Sequence, residues 1–264
     1  MIFLAGAAAL LLSVAEPASA DDLRPLCPDR PGKGTSPCTL DADHVQIEVD
    51  AFDASFQRQD GVTTDTYVAV DPTLKYGVTD ALDIEGAMAL YQSVRTHDAS
   101  SDTRTHGVGD LYLRAKWNFL DAGDGPFSAV LAPFVKLPTA AQGLGNGMVE
   151  SGLVLPMGYD LGSSWSLGST PEVDVLHNGL GGGYHIDLVD VIGIGRSFDD
   201  GVALGMELWT SQNMDPLSNV SAYSFDLSAA WQPNSELQFD SGINFGLNRN
   251  TPGIQLYIGI SRRL

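Results

Sequence analysis

The ten residues from Asp110 to Phe119 constrain most tightly what this chain can fold into. They read Asp-Leu-Tyr-Leu-Arg-Ala-Lys-Trp-Asn-Phe, with an apolar residue at every second position: Leu111, Leu113, Ala115, Trp117 and Phe119. Asp110, Tyr112, Arg114, Lys116 and Asn118 fill the positions between. Successive side chains of a strand point to opposite faces, so the segment has one apolar face and one wet face. At helical spacing Arg114 and Lys116 would fall among the leucines, and a helix is the poorer fit. In a soluble sandwich the apolar face meets a second sheet. In an outer-membrane barrel it meets lipid, and the charges face a water-filled lumen.

The same alternation recurs along the chain. It marks strands over residues 44–56, 66–76, 82–91, 110–119, 127–137, 149–161, 165–176, 184–197, 202–210, 220–231, 237–247 and 254–264. That is about twelve segments, an even number, each near the length a tilted strand needs to cross a bilayer. Short turns are expected at Gly77–Asp80, Gly162–Ser164, Asp199–Gly201 and Pro233–Ser235, with a longer one at Asp121–Pro126. They alternate with polar loops at Gln57–Asp65, Gln92–His106, Pro138–Gly147, His177–Gly183 and Ser211–Asn219. Short periplasmic turns opposite long outer loops are the habit of outer-membrane barrels, whereas a sandwich has no reason to alternate so regularly. Tyr76, Trp117, Phe119, Phe127, Trp165, Tyr184 and Trp231 sit near expected strand ends, where Trp and Tyr favour the lipid headgroup boundary. The predicted fold is therefore all-β: a transmembrane antiparallel up-and-down barrel over residues 43–264.

Composition agrees. The chain has 264 residues with 14 Lys+Arg against 33 Asp+Glu, a net charge of −19, which argues against a nucleic-acid partner. A mean hydropathy of +0.01 is too low for a helical membrane protein, while barrel strands escape such averages because polar residues alternate with apolar ones. Met1–Ala20 reads as a signal peptide: an apolar run from Ile2 to Leu12, then Pro17 and the small residues Ala18-Ser19-Ala20. Cys27 and Cys38 are the two cysteines, and in an exported chain such a close pair is expected to form a disulfide. Residues 21–42 carry Pro25, Pro28, Pro31 and Pro37, which suits neither a central strand nor a helix. They read as a periplasmic segment stapled against the barrel mouth.

Several stretches resemble a known family. Val135-Lys136-Leu137-Pro138-Thr139, Gly143-Leu-Gly-Asn146-Gly147, Glu150-Ser-Gly152-Leu153 and Pro156 form one block. Glu172-Val-Asp174 followed by Gly181-Gly-Gly-Tyr184-His185 forms another. With Gly109-Asp110-Leu111, Asn244-Phe-Gly246-Leu247 and the opening from Arg30-Pro31 to Val49, these are similar to the transporter-like family named for the meta-pathway of phenol degradation. The resemblance implies an outer-membrane β-barrel and passage of small aromatic or apolar compounds. The final strand, Ile254 to Leu264, resembles the terminal signal read by the barrel-assembly machinery, although it ends in Leu264.

Wherever apolar faces meet lipid, the opposite faces line the lumen. The expected pore-lining residues are Arg114, Lys116, Lys136, Glu150, Glu172, Asp174, His185, Asp187 and Glu207. Charges of both signs either tune selectivity or pair across a narrow lumen and fill it. His185, two residues from Asp187 on one strand face, is the best-placed candidate base, but no Ser or Cys nucleophile is marked by a motif. No catalytic residue, cofactor or metal site is assigned, and the outer-loop group His97, Asp98, Asp102 and His106 reads as a solvated loop. The expected function is passive passage of small solutes across the bacterial outer membrane, with lipid and solute as partners and the oligomeric state open. Two alternatives stay open: a non-conducting structural or adhesion barrel, and an outer-membrane barrel enzyme.

Overall fold

The computed structural model describes residues 23–120, 125–180 and 182–264. The signal peptide expected at Met1–Ala20, most of the turn expected at Asp121–Pro126, and Gly181 lie outside them. β1 (Val45–Gln59) and β2 (Val62–Thr79) form a hairpin turned by Asp60 and Gly61, at φ of 50° and 82°. The other edge of β2 is shared by β3 (Leu82–Ala87) and β4 (Tyr91–His97). β5 (Asp102–Gly107) pairs with β4, and β6 (Leu111–Leu120) pairs with β3. β7 (Phe127–Leu137) follows β6, and its far edge is shared by β8 (Glu150–Val154) and β9 (Met157–Gly162). β10 (Trp165–Ser169) and β11 (Glu172–His177) pair with β9 and β8, and both pair with β12 (Tyr184–Ser197). β13 (Val202–Asn213), β14 (Val220–Asn234), β15 (Leu237–Gly246) and β16 (Ile254–Arg263) continue the sheet, and β16 pairs with β1 to close it. Four wall strands are each interrupted once, so the sixteen segments make a closed antiparallel barrel of twelve strands.

Two of the interruptions have a plain cause. Pro156 lies between β8 and β9 and Pro171 between β10 and β11, and proline has no N–H to give to a ladder. The wall stays joined there because Leu155 N donates to Pro171 O at 2.9 Å and Val130 N to Pro156 O at 2.9 Å. Two stretches expected to be loops, Gln57–Asp65 and Gln92–His106, are instead mostly strand, in the hairpins β1–β2 and β4–β5. Beyond the lipid band both faces of a strand meet water, so the alternation that marks a strand disappears while the hydrogen-bond ladder continues.

The polarity of a soluble protein is inverted. Leu113 and Trp117 on β6 are 43% and 52% exposed, whereas Lys116 between them is fully buried. Gln46, Glu48, Lys75, Asp83, Asp226 and Arg263 are also buried, facing inward. Outward apolar side chains with inward charges are the arrangement a lipid-spanning barrel requires. Replacing Leu113 by Arg is expected to cost about 2–4 kcal/mol of folding stability if the site lies at the bilayer midplane. A urea titration of folding in lipid vesicles measures this, and an unchanged midpoint would contradict lipid contact at Leu113.

Candidate functional site

The lumen is where the charged side chains converge, and a loop from the N-terminal segment sits among them. Cys27 and Cys38 are disulfide-bonded, with Cα atoms 6.0 Å apart. The ten-residue loop between them presents one carboxylate and two cations to opposite walls.

Asp29 is the anionic contact. Its carboxylate meets Lys75 Nζ at 2.8 Å, Lys116 Nζ at 2.8 Å and Arg114 Nη2 at 2.5 Å. Its backbone N–H donates to both Glu48 oxygens, at 3.2 and 3.0 Å. Glu48 and Glu85 complete the cluster, Glu48 at 2.5 Å from Lys75 and Glu85 at 2.5 Å from Arg114. The three cations come from two wall strands separated by one: the β3 segment lies between β2, which carries Lys75, and β6, which carries Arg114 and Lys116. Strand periodicity aims all three inward together.

The cationic contacts reach the opposite wall. Arg30 bridges Asp50 at 2.5 Å and Asp240 at 2.8 Å, and its backbone oxygen accepts from Gln238 at 2.9 Å. Lys33 Nζ donates to Ser224 Oγ at 2.6 Å, lies 3.6 Å from Asp226 and sits over the Trp209 ring at 4.4 Å. Its backbone N–H donates to Glu207 at 2.8 Å. Between these, Gly32 N–H donates to the Tyr257 hydroxyl at 2.9 Å. Gly32 has φ of 96°, a conformation that favours glycine, and a Cβ there would lie 2.7 Å from the Glu207 carboxylate, which would have to shift. Further back, Asp41 pairs with Arg24 at 2.6 Å and Arg263 at 3.1 Å, fastening the segment to the end of β16.

A second polar cluster lies toward the long loops. Lys136 meets Glu150 at 2.7 Å and Asp110 at 3.2 Å, and donates to Asn146 Oδ1 at 2.8 Å. Asn146 in turn donates to Glu150 at 2.7 Å. The loop over Pro138–Gly147 is thereby tied to charged residues of β7 and β8. Between the two clusters is a cavity of about 290 Å³ lined by Glu85, Ala87, Tyr112, Phe134, Val154 and Glu172, among others. Its apolar side is continuous with the buried group Val130, Ala132 and Val154.

The expected pore-lining residues thus fall into groups. Arg114 and Lys116 hold Asp29, Glu207 holds the Lys33 backbone, and Lys136 and Glu150 hold the outer loop. Glu172 borders the apolar cavity, while Asp174 pairs in register with Asp187 across β11 and β12. Asp187 accepts from Ser211 Oγ at 2.9 Å rather than orienting His185. The His185 ring instead contacts Asn178 Oδ1 at 3.1 Å and lies 3.9 Å from Asp215. Asp98 is engaged by Ser100 and Ser101, and Asp102 by Arg95; among the described residues no group of three His, Cys, Asp or Glu is placed to hold a metal.

The family described as "Putative MetA-pathway of phenol degradation" matches residues 28–264. The chain belongs to this family. No curated protein is significantly similar to it in sequence. Among solved structures, an outer-membrane channel from Pseudomonas putida F1 is similar, with a TM-score of 0.69 and 17% identity, over 89% of this chain and 99% of that one. The NanC porin gives a TM-score of 0.55 at 8% identity, over 83% and 100% of the two chains. The β domain of a Bordetella autotransporter gives 0.55 at 12%, over 85% and 100%. These likenesses establish the outer-membrane barrel fold of this member of the phenol-degradation family. The family match begins at Pro28, so it takes in the lumen loop as well as the wall.

Residues of the site that the sequence does not mark as lumen contacts are Asp29, Arg30, Lys33, Lys75 and Glu48. Their partners are far away in the chain, Arg30 and Asp240 by 210 positions. The available hint was local: three charges between two cysteines, in a segment too rich in proline to be a strand.

Proposed function

We propose that the protein is a passive outer-membrane channel for small apolar or aromatic solutes, narrowed by its own N-terminal loop. The observation that carries this reading is the cavity faced by Ala87, Tyr112, Phe134 and Val154 as well as by Thr73, Glu85, Arg114 and Glu172, within a lumen whose charges are otherwise largely paired. A neutral solute crossing there leaves the ion pairs intact, whereas a strongly hydrated one must displace them or be stripped of water. The family description, which names phenol degradation, and the likeness to an outer-membrane channel support the same direction. No energy source is required, since downhill diffusion suffices.

The test is uptake into vesicles with lipopolysaccharide in the outer leaflet, which slows apolar solutes that would otherwise cross the lipid. Phenol is expected to enter faster with the protein than without it, and xylose much less so. A folded, inserted protein that accelerates neither would favour a non-conducting barrel, the reading supported by the paired charges around Asp29 and Arg30. The chain carries 33 Asp+Glu against 14 Lys+Arg, so any ion flow is expected to prefer cations.

A further inference from the structure

The loop does not fill the lumen evenly. On the Lys75–Arg114 side it is in contact with the wall, but opposite Pro37 a cavity of about 490 Å³ remains toward the short-turn end of the barrel. Its wall has an unusual composition. Reading straight across β10, β12, β13 and β14 in register, the inward residues are Ser166, Gly195, Gly205 and Ser228. The next inward row begins with Gly168 and Gly193 and continues with Glu207 and Asp226, which hold the Lys33 region of the loop.

Glycine weakens a strand interior and marks places where something must approach closely. For three of these glycines the neighbour is visible. A Cβ on Gly193 would meet Glu207 at 3.0 Å, one on Gly195 would meet Ser166 Oγ at 2.9 Å, and one on Gly205 would meet Ser228 Oγ at 2.6 Å. Gly168 differs: its nearest neighbour would be a backbone oxygen of Met157 at 3.8 Å, an ordinary contact, and the position borders the cavity. Among the described residues, nothing else comes within 4 Å of the space that glycine leaves there. Of the charges that line the cavity, Arg30 is engaged by Asp50 and Asp240, Glu207 by the Lys33 N–H and Asp160 by the Gly162 N–H, while Pro28, Pro31, Pro37 and Met157 supply apolar surface.

We propose that this chamber is the inner leg of the solute path, taking a neutral, single-ring apolar molecule past the loop while the loop stays in place. The proposal rests on the channel reading above and adds the route and the residues that keep it open. Gly168 holds the width of the path, and the row from Ser166 to Ser228 forms its floor.

Both native cysteines are engaged in the disulfide, so a thiol introduced elsewhere is the sole reactive one. Gly168→Cys is folded and reconstituted, and phenol uptake is measured before and after reaction with N-phenylmaleimide. Labelling is expected to reduce uptake to that of protein-free vesicles. The same label on Ile192→Cys, which faces outward, should leave it unchanged. A second measurement asks whether the loop leaves. Amide exchange at Gly32 and Lys33, whose N–H groups are held by Tyr257 and Glu207, should stay slow in saturating phenol. Full uptake after labelling Gly168→Cys, or no reaction at that thiol in the folded protein, would overturn the proposal. So would exchange that quickens in phenol, which would mean that the loop must leave. If unlabelled wild-type protein passes no phenol, the channel reading itself fails.

Discussion

Replacing Asp29 by Asn is expected to raise the single-channel conductance of the folded barrel and to loosen the loop between Cys27 and Cys38. Lys75, Arg114 and Lys116 converge on this one carboxylate, and Lys75 and Lys116 are almost completely buried. Removing one partner from a buried ion cluster typically costs about 3–5 kcal/mol, because the remaining charges stay desolvated without compensation. The wall has Glu48 and Glu85 to share among its cations, so the barrel should survive and the loop should bear the loss. Planar-bilayer recording reads the conductance, and amide exchange at Gly32, Lys33 and Thr35 reads the loop. Unchanged values in both would mean that Asp29 does not hold the loop.

The same contact has a defined pH dependence. Burial opposes ionisation of Asp29, yet the charges of Lys116, Lys75 and Arg114 hold its carboxyl well below its ordinary value of 3.8. A depressed acid contributes stability above its unfolded pKa and loses it as the pH falls through the lowered value. Loss of this contact should therefore raise wild-type conductance only below about pH 4. A rise beginning near pH 6 would point to other groups.

Removing the disulfide, by Cys27→Ser with Cys38→Ser, should have the second large effect. Closing a loop of this length stabilises the folded arrangement by about 3 kcal/mol in the chain-entropy account. The wall strands begin at Val45, beyond both cysteines, so the barrel should fold as before. Exchange across residues 28–37 should quicken, and reductant added to wild type should reproduce the change. Exchange that stays slow in the double variant would mean that the ion pairs of Asp29, Arg30 and Lys33 suffice to order the loop.

The wall was legible in the sequence because lipid on one side and water on the other enforce a period of two. Asp110–Phe119 carries that period without a break, and the structure turns Leu113 and Trp117 outward and Lys116 inward. The hairpin ends at Gln57–Asp65 and Gln92–His106 were not legible, since water on both faces removes the period while pairing persists. The lumen was half legible. Alternation identifies Arg114, Lys116 and Lys136 as inward, but nothing local tells Arg114 to meet Asp29, 85 positions away. His185 shows the same limit from the other direction. Its strand neighbour Asp187 is taken by Ser211, and the carboxylate that lies near its ring is Asp215, from the loop between β13 and β14.

If the N-terminal loop narrows the lumen without sealing it, refolded wild-type protein in planar bilayers should conduct in small, discrete, cation-preferring steps that grow when Asp29 is replaced. Silence from protein shown to be folded and inserted, or wide steps already at the level of the Asp29→Asn variant, would contradict it.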